Sequence, residues 1–108
     1  TDWDVHWTAP DKYINKNVFP CVSAQAAEYL LERNIAALGV DTPSPDRQET
    51  SDYPVHARLF GAGKYIIENV TNLAALPEHG SFVIALPPKI KDAVEAPTRV
   101  VGLIPKNS

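Results

Sequence analysis

The pair of side chains in this sequence best suited to bind a metal is His56 and Glu68, which lie twelve positions apart. A neutral imidazole and a carboxylate are ligands that zinc and manganese accept, and a bound divalent metal can activate water for hydrolysis. A protein zinc site draws on three or four protein ligands, so two residues at this spacing do not define one. A purely structural pair is therefore the alternative interpretation.

The stretch 53–72, YPVHARLFGAGKYIIENVTN, must position these two side chains. A proline suits the first turn of a helix, which predicts a short helix over 54–61 with His56 near its start. An Ala-Gly break follows, and the next apolar run predicts a strand over 64–68 that ends at Glu68. The two candidate ligands thus belong to consecutive elements.

One main helix and three further strands complete the predicted elements. The helix, over 23–34, is capped by Ser23 and carries an apolar stripe at helical spacing. Because an apolar strand follows it directly, the order is typical of an α/β protein. We therefore predict an α/β fold with one main helix and a mixed sheet of about four strands. Those strands are 35–40, 64–68, 81–87 and 98–105.

The N-terminal segment 1–20 shows neither helical nor strand periodicity, which predicts irregular structure held by its aromatic rings. Trp3 and Trp7 are either anchors packed on the core or the wall of a pocket for a flat, aromatic ligand. Asp41 follows the predicted strand 35–40 at its carboxyl end, where open α/β sheets place functional groups. Its alternative role is an Asx turn.

Composition argues against several classes of function. The net charge of −3 and the pI of about 5.5 disfavour a nucleic-acid partner, since phosphate binding needs clustered Lys and Arg. No apolar run approaches the roughly 18 residues of a membrane span, and the single cysteine, Cys21, forms no internal disulfide. Dinucleotide-binding, P-loop, zincin and esterase motifs are missing. Since the sequence holds no methionine, we expect a truncated or processed chain, with a tail at 106–108.

Short blocks with a distinctive order run along almost the whole chain. They are TDWD at 1–4, GVDTPS at 39–44, PVH at 54–56, GAG at 61–63, IEN at 67–69, TNL at 71–73, ALP at 85–87 and PTR at 97–99. In order and spacing these blocks resemble the C-terminal half of the cyclase family of metal-dependent hydrolases. That family includes bacterial-type kynurenine formamidase and isatin hydrolase.

The resemblance implies a swivelling β/β/α fold, of which residues 1–108 would be a single-domain portion without the N-terminal half. It also implies that His56 and Glu68 are ligands of a metal pair, with zinc expected and manganese as the alternative. The remaining ligands would come from a His-x-x-x-His-x-Asp motif in the N-terminal half, which this sequence does not contain. The catalytic residues are accordingly not assigned, and the chain alone is expected to be inactive.

The activity implied by the resemblance is hydrolysis of an amide or cyclic amide bond in a small aromatic substrate such as N-formylkynurenine, in tryptophan catabolism. Trp3 and Trp7 would then contact the substrate. Family members form dimers or tetramers, so we expect a cytoplasmic homo-oligomer in which the missing half or another chain covers apolar strand faces. The missing motif and departures from the family pattern at Asp2, Pro88 and 91–97 favour an alternative, a cyclase-like fold that binds a partner without catalysis.

Overall fold

The computed structural model describes residues 1–106, with Asn17 described by its backbone only. The chain divides into two compact units, the first being Thr1–Leu73 and the second beginning at Ala74. Positions 107–108 of the predicted tail lie outside the described residues. The interpretation of residues 1–108 as one domain portion stays a prediction.

Three helices and a small parallel sheet make up the first unit. The helices are α1 (Pro10–Ile14), α2 (Ala24–Glu32) and α3 (Pro54–Gly61), and the strands are β1 (Ala37–Gly39) and β2 (Tyr65–Ile67). Two 3₁₀ turns, Trp3–His6 and Asn15–Asn17, flank α1. The strands pair in parallel with Leu38 opposite Ile66. Since parallel neighbours need a long crossover, the connection that contains α3 supplies it.

The core of the first unit forms where α2 and α3 pack together and against the strands. Ala27 of α2 and Val55 and Leu59 of α3 are fully buried, and Leu38 and Ile66 pack against them. Because Val55 and Leu59 are four residues apart, they lie on one face of α3. This buried face fixes α3 in place. The residues that follow Val55 and Leu59, namely His56 and Phe60, lie nearer to solvent.

Helices α2 and α3 end in the same type of turn. After α3, Gly63 has φ +69°, its amide donates to the Phe60 carbonyl at 2.9 Å, and the Lys64 amide donates to the Leu59 carbonyl at 2.9 Å. This pair of bonds is a Schellman motif. Asn34, with φ +53°, takes the equivalent left-handed position after α2. Each turn leads the chain from a helix directly toward a strand.

The second unit contains an antiparallel pair of strands, β3 (Phe82–Ala85) and β4 (Val100–Leu103), with Ile84 opposite Val101. Apolar side chains of this pair stay exposed, among them Phe82 and Leu103. Contiguous apolar surface of this kind is typical of regions that another part of a protein or a partner covers. The expectation that the missing half or another chain packs on such strand faces stays a prediction.

The α/β class and both predicted helices, 23–34 and 54–61, are confirmed, and the predicted Ser23 cap accepts the Ala26 amide at 3.1 Å. All four predicted strands are present, grouped as two two-stranded sheets, one parallel and one antiparallel. The N-terminal segment is less irregular than predicted, because Pro10 opens the five-residue helix α1; so short a helix shows no periodicity. Among the described residues, no helix has the length and apolar character needed to cross a membrane.

Gly63 and Gly61 offer a matched test of the turn that leads from α3 to β2. Gly63→Ala places a Cβ at positive φ and is expected to lower the free energy of unfolding by about 1–2 kcal/mol. Gly61→Ala changes the last residue of α3, where the added Cβ meets open space, so it should raise stability by up to about 1 kcal/mol. Urea unfolding of both variants in the intact protein measures the difference. Equal effects of the two substitutions would contradict the assigned turn.

Candidate functional site

The fold brings His56 and Glu68 together in the first unit. His56 is the third residue of α3, and Glu68 directly follows β2. Ring nitrogen Nε2 of His56 lies 3.4 Å from Oε1 of Glu68, and the two side chains are 25% and 26% exposed. Two residues that are distant in sequence therefore form one local site that is open to solvent.

Backbone hydrogen bonds on both sides of Glu68 hold it against the loop that follows β1. The Val40 amide donates to the Ile67 carbonyl at 2.9 Å, and the Asn69 amide donates to the Thr42 carbonyl at 3.1 Å. These bonds continue the parallel pairing beyond the strand ends. Glu68 is therefore fixed along the chain direction by its neighbours on either side.

Asp46 holds His56 in place, and it is only 2% exposed. Its carboxylate accepts the backbone amides of Val55 and His56, both at 2.9 Å. The same carboxylate lies 2.8 Å from Nδ1 of His56. Tyr53, at the N-cap position of α3, makes no side-chain cap. Asp46 therefore caps the helix from the preceding loop, where its negative charge is favoured by the helix N-terminus.

Short polar contacts shape the loop that presents Asp46. The Thr42 hydroxyl donates to the Ser44 carbonyl at 2.9 Å, and the Asp46 amide donates to the Ser44 hydroxyl at 3.2 Å. The Val22 amide donates to the Pro45 carbonyl at 2.8 Å, which ties the loop to the segment before α2. Because these buried polar groups are paired, the loop can lie inside the unit.

The role of Asp46 was not predicted from the sequence. An aspartate in a proline-rich loop is typical of a turn, and its bonds reach nine and ten positions along the chain. One signal was present: a helix that opens with Pro54 after Tyr53 has no local side chain able to cap it. Such a helix needs an acceptor from elsewhere in the fold.

Two aromatic rings flank His56. Phe60, one turn later on α3, and Tyr53, just before the helix, meet the imidazole edge-on, with ring centroids 5.4 Å and 6.1 Å from it. Both rings are about half exposed. They were also missed in the sequence, although the i, i+4 spacing of His56 and Phe60 places those two on one face of a helix.

The two tryptophans predicted to contact a substrate gather around Tyr13. The Trp3 indole N–H donates to the Tyr13 carbonyl at 2.9 Å, and Trp7 meets the Tyr13 ring edge-on at 5.2 Å between centroids. The polar end of Trp3 is thus engaged in an internal bond, whereas Trp7 is 53% exposed. Contact of either residue with a substrate stays a prediction.

The Tyr13 hydroxyl links this aromatic group to the strand end beside Glu68. It lies 2.8 Å from the side-chain oxygen of Asn69 and 3.0 Å from the Asp41 carbonyl. A phenol has one proton to donate, so both contacts are satisfied when the Asn69 amide is turned to donate to the hydroxyl. Burial, followed by the negative charges of Asp41, Asp4 and Glu68, raises the pKa of Tyr13. The hydroxyl therefore keeps its proton.

Asp41 anchors the start of the chain. Its carboxylate accepts the Thr1 hydroxyl at 2.6 Å and the Trp3 amide at 2.8 Å. These partners are 38 to 40 positions distant in sequence. The side chain thus forms long-range bonds, and not the Asx turn that was one expectation for it.

Comparison with known proteins points to one family. The family model described as "Putative cyclase" matches residues 1–47. The chain is 36% identical over 85 residues to the kynurenine formamidase of Bacillus cereus, across 79% of this chain and 40% of that protein. A crystal structure of an isatin hydrolase bound to the product analogue thioisatinate matches with a TM-score of 0.89 and 28% identity, covering 98% of this chain and 44% of that one. These matches support the resemblance to the cyclase family.

The chain also matches isatin hydrolase A from Ralstonia solanacearum, with a TM-score of 0.86 and 31% identity. That match covers 94% of this chain and 42% of the other. The chain spans about 40% of the length of the curated relatives it matches. The cyclase-like α/β fold that the resemblance predicted is therefore confirmed.

The side chains of His56 and Glu68 fit a divalent metal as part of a larger set of ligands. Two ligands of a tetrahedral zinc, each about 2.0–2.2 Å from the metal, lie roughly 3.4 Å apart, and the His56 Nε2 to Glu68 Oε1 distance is 3.4 Å. A carboxylate on the other ring nitrogen, as Asp46 provides, is the usual surrounding of a metal-binding histidine. Within residues 1–106, no three His, Cys, Asp or Glu side chains cluster as a metal site. A complete site therefore needs ligands from beyond those residues.

Asp41 gives rise to a prediction about stability in acid. Burial alone raises the pKa of its carboxyl, but hydrogen bonds from the Thr1 hydroxyl and the Trp3 amide hold that pKa below its usual value. A lowered folded-state pKa stabilises the folded protein above the unfolded pKa of about 3.9, and the stabilisation is lost as the pH falls through the folded-state pKa.

The free energy of unfolding of the wild type should therefore exceed that of Asp41→Asn near neutral pH, and this difference should shrink below about pH 4. Urea unfolding of both proteins at a series of pH values measures it. A difference that stays constant into the acid range would contradict this role for Asp41.

Proposed function

We propose that the protein containing this chain is a metal-dependent hydrolase that cleaves an amide or cyclic amide bond in a small aromatic substrate, such as N-formylkynurenine. The observation that carries the proposal is the 3.4 Å separation of His56 Nε2 and Glu68 Oε1. It is longer than a charge-assisted hydrogen bond of about 2.7–2.9 Å and close to the ligand separation of a tetrahedral zinc site. Similarity to kynurenine formamidase and isatin hydrolase supports the reaction class.

In this proposal His56 and Glu68 hold the metal, zinc by preference and manganese as the alternative, since both metals accept imidazole and carboxylate ligands. When bound, such a metal supplies a water that ionises near neutral pH and a charge that polarises the carbonyl. Glu68 is fixed by the strand ladder and His56 by the capped start of α3. The backbone at Glu68 and the ring of His56 are thus held in place by groups other than the metal, as a preorganised site requires.

An aromatic substrate has two groups of rings to contact in the first unit. One group is Trp3 with Trp7, and the other is Tyr53 with Phe60, which touch the His56 ring directly. Half-exposed aromatic rings offer apolar surface at little conformational cost. We assign the substrate contact in the first group to Trp7, because the Trp3 indole is engaged with the Tyr13 carbonyl.

The proposal extends to the assembly and setting of the protein. The exposed apolar side chains of β3 and β4 support the proposal that another part of the protein or a second copy of it covers them. We place the protein in the cytoplasm as a homo-oligomer acting in tryptophan catabolism, as the family resemblance implies. The second candidate function is a cyclase-like binding module without catalysis, which the incomplete ligand set within residues 1–106 favours.

Replacing His56 with alanine in the intact protein is expected to abolish hydrolysis of an N-formyl aromatic amide and to lower the amount of bound metal, because the site loses a ligand. Elemental analysis for zinc and manganese, together with an absorbance assay of turnover, measures both effects. His79→Ala is the matched control, since His79 is exposed in the second unit, and it should keep metal and activity. Metal and turnover retained in His56→Ala would contradict the assignment of His56 as a metal ligand, and a wild type without bound metal or turnover would contradict the hydrolase proposal. Metal binding by the wild type without turnover would instead support the binding module.

The assignment of Trp7 to the substrate pocket predicts a split between affinity and turnover. Trp7→Ala should raise KM several-fold, since an aromatic contact contributes about 1 kcal/mol, and should leave kcat nearly unchanged. Val5→Ala, at an exposed apolar side chain in the 3₁₀ turn that directly precedes Trp7, is the control and should change neither constant. Steady-state kinetics with an N-formyl aromatic amide measures both. An unchanged KM in Trp7→Ala would contradict the substrate contact and favour the alternative that Trp7 is a structural anchor.

A further inference from the structure

The contact between Asp46 and His56 leaves little freedom for the imidazole. Oxygen Oδ2 of Asp46 lies 2.9 Å from the His56 amide nitrogen and 2.8 Å from ring nitrogen Nδ1 of the same residue. Oxygen Oδ1 is held by the Val55 amide at 2.9 Å. Because one carboxylate bridges the backbone and the ring of His56, it fixes both the direction of the ring and the nitrogen that faces the protein.

The chemistry of the two groups then decides where the ring hydrogen lies. An ionised carboxylate can only accept hydrogen bonds, and a neutral imidazole carries its hydrogen on one nitrogen only. The nitrogen that faces Asp46 must therefore be the donor, which leaves a lone pair on Nε2. This lone pair is on the nitrogen that lies 3.4 Å from Glu68 Oε1. In neutral His56, Nε2 and the Glu68 carboxylate are therefore two neighbouring acceptors.

We infer that Asp46 is a positioning residue: it holds neutral His56 with its hydrogen on Nδ1, so that the Nε2 lone pair is available to a divalent cation shared with Glu68. The inference deepens the proposed function and rests on it for the identity of the cation. The hydrogen position itself can be tested without metal. A role limited to capping α3 makes no demand on the ring hydrogen, so the two roles can be separated.

Removing the Asp46 acceptor should move the ring hydrogen of His56 from Nδ1 to Nε2. In Asp46→Ala, Nδ1 loses its acceptor while Nε2 still faces the Glu68 carboxylate, so the hydrogen should move to Nε2. In Asp46→Asn, the amide oxygen can keep the position that accepts both His56 donors, so the hydrogen should stay on Nδ1. Both variants lose at least one helix-capping bond and should be less stable than the wild type. Stability alone therefore does not distinguish the roles, whereas the ring hydrogen does.

The experiment uses the intact protein labelled with ¹⁵N-histidine, freed of metal by a chelator and held above the usual titration range of imidazole. Long-range ¹H–¹⁵N spectra report which ring nitrogen carries hydrogen, and His56→Gln identifies the His56 signals by their loss. Asp41→Ala is the matched control, because Asp41 is an equally buried carboxylate of the same loop. It should lower stability and leave the His56 hydrogen on Nδ1.

The expected result is hydrogen on Nδ1 in the wild type and in Asp46→Asn, and on Nε2 in Asp46→Ala. Zinc added alone should bind Asp46→Ala about 10- to 100-fold more weakly than the wild type. Hydrogen on Nε2 in the wild type overturns the inference even if Asp46→Ala does not fold. Hydrogen that stays on Nδ1 in a folded Asp46→Ala overturns it as well. The expected ring behaviour without any zinc or manganese binding would support the positioning role while contradicting the proposed function.

Discussion

The first turn of α3 depends on a single buried carboxylate. Pro54 has no amide hydrogen and Tyr53 supplies no cap, so the free amides at the start of the helix are those of Val55 and His56. An unpaired buried amide costs about 1–3 kcal/mol, and Asp46 satisfies both. The helix N-terminus in turn offsets part of the cost of burying the Asp46 charge. Carboxylate and helix therefore stabilise each other, with the imidazole of His56 between them.

The loop that carries Asp46 also positions the second candidate ligand. Val40 and Thr42, at the start of this loop, hold the backbone on either side of Glu68, and Asp46, at its end, holds His56. Asp41, which lies between Val40 and Thr42 in the loop, fixes the N-terminal segment that contains Trp3. The 3.4 Å separation of the two candidate ligands is therefore set by loop 40–46 as much as by the residues that follow it.

Sequence patterns predict the elements whose causes are local. A serine cap with an apolar stripe marks α2, and a leading proline marks α3. The pairing of the strands is not local, since Ala37 lies opposite Tyr65, and short apolar runs do not say which strands are neighbours. His56 and Glu68 could be predicted as partners only through the family resemblance. Asp46 could not, because nothing near it in the sequence shows that its partner is a helix that begins eight positions later.

The short distance between His56 and Glu68 must be maintained by contacts elsewhere in the first unit. In the neutral form that we infer for His56, Nε2 and the Glu68 carboxylate are both acceptors, so at 3.4 Å they repel each other unless a cation lies between them. Their approach must therefore be maintained by contacts elsewhere: the helix cap at Asp46, the strand ladder beside Glu68, and the buried Val55 and Leu59 that seat α3. A cation bound between the two acceptors would relieve that repulsion without reordering either side chain. The stability of the loop thus contributes to affinity for a cation, because the two ligands are already in place when it binds.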